Sequence, residues 1–408
     1  MDFDDTPQEA KFRKEVKDWL SNNSTLRSET HVRSRSEYDA KEELKRAKVW
    51  QAKKADAGYA FIQWPEEFGG RGSTMEAVIF SQEEAAYATP EDFFVNASFM
   101  GPTIMTYAND ETKARFLPKM LRGEEIWCQM FSEPSAGSDL AGIRTRAERD
   151  GDEWVINGQK VWTSNAQHSD WAVLVTRHDP TVPKHMGLTY FLVDMRSPGI
   201  EVVPIKQISG GSHFNEVFLS DVRIPDSQRL GEVGDGWSVA LTTLMNERFS
   251  TGHTTRPDVV ELLKLTREVE IDGQPAIKNK AIREQIADFY VRTQGIKNIQ
   301  FRTLTALSKG QAPGPEASVA KYVNANKYQA ISTLGMDLQG LAGLITDSEI
   351  VGDNVSFANG FLQSPGLRIA GGTDEIMLNI IAERVLSLPQ DIRVDKELAF
   401  NQLPTSGT

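Results

Sequence analysis

Apolar side chains change their spacing twice along the chain. Over residues 1–125 they recur at helical intervals. Thr6-Pro7-Gln8-Glu9 has the form of a capping box with proline at the first helical position, and Phe12, Val16, Trp19 and Leu20 follow at helical spacing. The pattern predicts further helices over 42–57, 75–88 and 103–121, with a loop at Trp64-Pro65 through Gly72. From Ile126 the period becomes two. Asp150-Gly151 and Asn157-Gly158 read as hairpin turns flanking Trp154-Val155-Ile156, and strands are predicted over 171–176, 189–193, 200–205 and 216–224. Short strands without intervening helices predict an antiparallel barrel or sandwich. A glycine-rich loop, Gly231 to Gly236, then leads into helical spacing from Trp237 to about Leu388. The fold class is therefore α+β: a helical domain over 1–125, a middle β-domain over 126–230, a helical domain over 231–390, and a polar, irregular tail over 391–408.

Composition narrows the chemistry. The 408 residues carry 45 basic and 57 acidic side chains, a formal charge of −12, which argues against nucleic acid or an anionic membrane as partner. The single cysteine, Cys128, rules out an internal disulfide and lies in an apolar stretch, where a buried, inert thiol is expected. No apolar run reaches membrane-spanning length and the N-terminus lacks a signal-peptide pattern, so a cytoplasmic protein is expected. The six histidines, His168, His213 and His253 among them, show no paired ligand spacing, and no metal site is expected. No Gly-x-Ser-x-Gly elbow, P-loop or strand-linked Gly-x-Gly-x-x-Gly is present.

The most informative segment is Gln129-Met-Phe-Ser-Glu-Pro-Ser-Ala-Gly-Ser-Asp-Leu140. β-formers lead to Ser132-Glu133-Pro134, and Pro134 ends the strand. Small residues follow, and Gly137 permits a tight turn. Exposed N–H groups and hydroxyls beside such a turn make a concavity for an anion such as a pyrophosphate. Taken alone, a Ser/Gly/Pro cluster is an ordinary strand-to-loop transition.

Its neighbours add a likeness. Trp64-Pro65 through Gly72, Phe116-Leu117-Pro118 with Gly123-Glu124, Ser132-Glu133-Pro134 through Asp139, Asn157-Gly158-Gln159-Lys160 with Trp162, and Gly372-Thr373-Asp374-Glu375-Ile376 occur in one order. With these the chain resembles the acyl-CoA dehydrogenases over nearly all of residues 1–390. The resemblance implies a C-terminal four-helix bundle, FAD as cofactor, a homotetramer or heterotetramer, oxidation of an acyl-CoA thioester to trans-2-enoyl-CoA in fatty-acid or related acyl catabolism, and an electron-transfer flavoprotein as acceptor. By position it implies that Gln129, Phe131 and Ser132 line the flavin, largely through backbone atoms. Trp162 would pack beside the ring, with Ser164 near its N5. Ser138 would approach the flavin pyrophosphate and the CoA, Gly340 would belong to a cofactor segment, and Thr373 and Glu375 would approach the ADP part of FAD.

The reaction needs a carboxylate to take the Cα proton. Many members of the family carry it immediately before the last Gly-Thr, where this chain has Gly371. A second family arrangement places it on the first long helix of the C-terminal domain, before an arginine, and Glu247-Arg248 match. Glu247 is thus the expected catalytic base, desolvated by Leu241, Leu244 and Met245, and Arg248 is expected at the substrate. An exposed Glu-Arg pair on a helix is the commoner role for such a dipeptide. Two further departures bear on FAD: Val269-Glu270-Ile271-Asp272-Gly273 lacks the arginine that relatives place across the dimer interface, and Asp337 replaces a glutamine ahead of Gly340 and Gly343. Alternatives are an FAD-poor or base-supplying partner subunit of a heteromeric enzyme, and a flavin oxidase or monooxygenase on the same fold. The space left at Gly371 points to a branched or bulky acyl group, such as a sterol side-chain thioester.

Overall fold

The first helix starts on its capping box. In the computed structural model, which describes residues 5–26, 39–90, 92–250, 257–308, 314–393 and 395–403, α1 spans Pro7–Asn23, with Thr6 Oγ1 accepting from Glu9 N at 3.3 Å and Glu9 Oε2 accepting from Thr6 N at 2.7 Å. Helices α2 (Ala40–Asp56) and α3 (Thr74–Glu84) follow. The single helix predicted over 103–121 is two, α4 (Val95–Tyr107) and α5 (Asp110–Arg122), because Asn109 caps a new start through Thr112 N at 2.8 Å. The Trp64 loop is a packing device: the indole is buried, its Nε1 donates to Ser98 O at 3.1 Å, and a Cβ on Gly101 would meet it at 2.0 Å.

Eight strands form the sheet: β1 (Trp127–Met130), β2 (Arg146–Asp150), β3 (Glu153–Ser164), β4 (Trp171–Arg177), β5 (Leu188–Asp194), β6 (Ile200–Pro204), β7 (Phe214–Pro225) and β8 (Arg229–Leu230). The order is β6-β7-β3-β2-β4-β5-β8, with β1 added to β4. Pairing is antiparallel except that β4 takes β1, and one residue pair of β2, in parallel, so the sheet is mixed. Asn157-Gly158 is not a turn. It lies inside β3 at a register shift, where a Cβ on Gly158 would meet Thr145 at 2.5 Å and Asn157 instead bonds across to Asp221. The Asn-Gly signal marks a bulge with close backbone approach. At β4 and β5 both sheet faces are buried. Val173, Val175, Tyr190 and Leu192 enter one apolar core with residues of α4 and α5, while Ala172, Leu174, Phe191 and Val193 enter a second with Trp154 and Ile156.

Helices α6 (Gly236–Ser250), α7 (Val259–Glu268), α8 (Lys280–Ser308), α9 (Ala317–Gln339), α10 (Ser348–Val351), α11 (Val355–Ile369) and α12 (Asp374–Ile380) complete the chain. Two compact units result. One holds α1, α3 and α7–α12, with Leu262, Ile286, Phe289, Ile331 and Phe357 forming a core among α7, α8, α9 and α11; the other holds α2, α4–α6, the sheet and the last residues. The tail is not wholly irregular: Ala399 bridges to Pro183 and Phe400 is buried. No helix among the described residues is long and apolar enough to cross a membrane.

Candidate functional site

The Ser132–Asp139 segment is held from beneath by charge. Reciprocal backbone bonds between Glu133 and Ala136, at 2.9 and 3.0 Å, close a turn over Pro134 and Ser135. The Glu133 carboxylate, 6% exposed, accepts from the backbone N–H groups of Arg144 (2.6 Å) and Thr145 (2.9 Å) and from Lys160 Nζ (2.8 Å). Lys160, fully buried on β3, also donates to Phe131 O at 3.1 Å, and Val161 N donates to Ser132 O at 2.9 Å. Burial pushes the Glu133 carboxyl up, but the Lys160 ammonium and these hydrogen bonds outweigh it and hold the group below the ordinary carboxylate range. The two sequence motifs are therefore joined by one buried ion pair, which the sequence reading missed. The two residues stand 27 positions apart in sequence, and no period links them.

The next departure from regular structure is Trp162. Its φ is 60°, it sits where β3 and β7 lose register between Lys160 and Thr163, and its indole is 58% exposed with Phe214 edge-on at 6.0 Å. A non-glycine residue held left-handed, with a large aromatic turned to solvent, is a strained arrangement that packing does not explain. Thr163 Oγ1 and its register partner's Asn215 Oδ1 are buried without a protein partner among the described residues. An exposed aromatic face such as that of Trp162 is a platform on which a planar ring system could stack.

The other expected site residues fall as follows. Gln129 is half-buried on β1, Phe131 is buried edge-on to Tyr190 at 5.9 Å, Ser132 and Ser164 are half-buried, and Ser138 is exposed. Gly137 leaves open space, and neither Gly137 nor Ser138 donates a backbone hydrogen bond within the described residues. Glu247 is half-buried on α6; the Arg248 side chain lies outside the described residues. Of the three apolar neighbours expected to desolvate Glu247, only Leu244 packs on the core, whereas Leu241 and Met245 are 40% and 58% exposed. The buried side of α6 is instead set by Thr243, one turn before Glu247. Its hydroxyl meets Thr103 Oγ1 and Tyr190 OH, each at 2.9 Å, tying α6 to α4 and β5. These three residues carried no sequence signal.

Gly340, Thr373 and Glu375 belong to the other unit. Gly340 ends α9 at φ 57°, Thr373 caps α12 by accepting from Ile376 N at 3.2 Å, and Glu375 is exposed in its first turn. Gly371 and Gly372 have φ of 64° and 95°, and a Cβ on Gly371 would meet nothing within 4 Å. Lys321 Nζ donates to Gly372 O at 2.5 Å, and buried Asp374 takes Arg368 at 2.7 Å, so Asp374 is committed to structure. Cys128 is buried and its thiol is pushed up to about 12 by that burial. The described residues contain no cluster of metal-ligating groups.

Comparison with known proteins gives the family. The description "Acyl-CoA dehydrogenase, N-terminal domain" matches residues 6–124, "middle domain" 128–222 and "C-terminal domain" 234–386. "Acyl-CoA dehydrogenase IpdE1" of Mycolicibacterium smegmatis is 36% identical over 401 residues, covering 94% of this chain and 98% of its own. The chain belongs to the acyl-CoA dehydrogenase family. It is 39% identical to "Acyl-CoA dehydrogenase FadE34" of Mycobacterium tuberculosis over 338 residues, 82% of this chain but only 45% of that longer protein. Among solved structures, the ChsE4-ChsE5 complex from Mycobacterium tuberculosis superposes with a TM-score of 0.77 at 27% identity, over 96% of this chain and 100% of that one. The Tcur3481-Tcur3483 steroid ACAD gives 0.78 at 25%, with the same coverage. FAD is the cofactor of this family of oxidoreductases, and the platform at Trp162 fits it.

Proposed function

We propose that this acyl-CoA dehydrogenase introduces a trans-2 double bond into a bulky acyl-CoA thioester, with Glu247 as the base. Two observations support the assignment: position 371 is a glycine and has no carboxylate, and Glu247 stands one turn beyond the hydroxyl anchor of α6. Glu247 accepts the Cα proton as the Cα–Cβ double bond forms. Bound FAD supplies the acceptor for the Cβ hydride. Trp162 offers the platform for the flavin ring, with Gln129, Phe131, Ser132 and Ser164 around it. Ser138 would serve the pyrophosphate, Gly340, Thr373 and Glu375 would serve the ADP end, and Arg248 would serve the substrate. An electron-transfer flavoprotein in the cytoplasm would be the electron acceptor. Glu247→Gln is expected to keep FAD and abolish anaerobic bleaching of the flavin by acyl-CoA; normal bleaching by that variant removes the assignment.

The open space at Gly371 supports a bulky acyl group, and a relative of similar fold is described as a steroid ACAD. A panel of thioesters tests this: steroid-derived and branched acyl-CoAs are expected to outperform straight medium chains, and the reverse order refutes it. A second reading, a subunit of a heteromeric enzyme, is supported by Val269, which packs into the bundle's apolar cluster where the interface arginine of relatives would stand. A relative solved as a complex of two proteins supports it too. The chain purified alone is then colourless and gains FAD with its partner; a fully yellow, active single protein excludes that reading.

A further inference from the structure

The last described residues dock on the loop around Val182, whose Lys184 pairs with Asp139. Phe400 N donates to Val182 O and Asn401 N to Pro180 O, both at 2.9 Å, and Ala399 bridges to Pro183. This docking places the Phe400 ring 3.5 Å from the Arg177 guanidinium, with Arg144 on the same ring at 5.2 Å. Arg177, buried at the end of β4, donates to three carbonyls: Ile143 O at 3.0 Å, Ala141 O at 2.5 Å and Lys184 O at 3.1 Å. Two of these belong to the stretch just after Ser138. A few residues earlier in the tail, Asp395 pairs with Lys184 Nζ at 2.6 Å, and the same ammonium holds both oxygens of Asp139 at 3.0 Å. The tail thus reaches the Asp139–Ile143 stretch by two intermediaries, Arg177 at the carbonyls of Ala141 and Ile143 and Lys184 at the Asp139 carboxylate.

With those acceptors held, the side chain of Ser138 and the N–H groups of Gly137 and Ser138 are among the groups left for an anion. We propose that Phe400 and Asp395 are positioning residues for pyrophosphate binding: they act through Arg177 and Lys184 to fix the Gly137–Asp139 backbone against a pyrophosphate-bearing ligand. This rests on the reading that the turn faces such a ligand. Either FAD or the CoA part of the substrate carries that group. An aromatic face on a buried guanidinium keeps water from competing for its donors, and the cation–π attraction orients it. An irregular polar tail would have no reason to bury Phe400 against two arginines.

The test compares Phe400→Ala, Phe400→Trp and Asp395→Asn in the full-length chain. FAD affinity is measured on apoprotein reconstituted with FAD. Coenzyme A and a pantetheine thioester lacking the nucleotide are titrated into the holoenzyme. Phe400→Ala is expected to weaken either FAD or coenzyme A about tenfold and to leave the pantetheine thioester unchanged; which of the two falls identifies the ligand at the turn. Phe400→Trp is expected to restore the affinity, and Asp395→Asn, at a more exposed position, to give a smaller loss of the same selectivity and to serve where Phe400→Ala fails to fold. Equal loss for coenzyme A and the pantetheine thioester, unchanged affinity for both FAD and coenzyme A, or no rescue by tryptophan overturns the proposal. Wild-type protein that binds neither FAD nor coenzyme A overturns the underlying functional reading instead, before any variant is compared.

Discussion

At the scale of single residues, two features make opposite demands on stability. The Glu133–Lys160 pair is buried on both sides, so removing one partner strands a charge. Lys160→Met is expected to lower unfolding stability by about 3–5 kcal/mol, measured by chemical denaturation, whereas Lys160→Met with Glu133→Gln loses less. The sign of the pH effect follows from the depressed Glu133 carboxyl: its contribution is complete above the ordinary carboxylate range and is lost as pH falls through the lowered value. Wild-type stability should therefore fall on acidification more steeply than that of the double variant. Trp162 does the reverse. Holding an L-residue at φ 60° costs about 1–2 kcal/mol, so Trp162→Gly is expected to raise or preserve the melting temperature while weakening FAD binding. A variant that loses stability and keeps FAD would make Trp162 a packing residue.

At the scale of elements, α6 is placed by hydroxyls and not only by apolar contact. Thr243→Val keeps shape but leaves Thr103 and Tyr190 short of a partner, at about 1–3 kcal/mol. It is expected to slow substrate bleaching of the flavin severalfold while FAD stays bound; an unchanged bleaching rate would detach Thr243 from the positioning of Glu247. Such a cluster is invisible in sequence, because threonines 140 positions apart have no shared period. Periodicity did reveal α1 and most strands, since amphipathic spacing is local. It failed where a tertiary neighbour decides: Gly158 marks the close approach of Thr145, and Asn109 splits a continuous helical pattern with a cap. Likewise the turn motif was legible as a candidate site, while the lysine beneath it and the tail clamping it were not, because both depend on distant strands meeting.

At the scale of the whole molecule, the last argument concerns assembly. The unit that holds Gly340, Thr373 and Glu375 also exposes Leu341 (85%), Leu344 (70%), Ile350 (67%) and Ile369 (65%). Large apolar side chains left this exposed are candidates for an interaction surface, and oligomers are the rule in this family. The charge of −12 keeps such a protein soluble, so burial of these side chains in an assembly, not aggregation, is the expected outcome. Native mass spectrometry is expected to show multiples of the 45.4 kDa chain, alone or with a partner chain. Leu344→Asp with Ile369→Asp is expected to release monomers, since each aspartate would bring an unpaired charge into an apolar contact. If copies share the ADP end of FAD, the released monomer also loses its yellow colour. A yellow monomer would show that one chain holds the whole cofactor, and that the exposed leucines serve assembly alone.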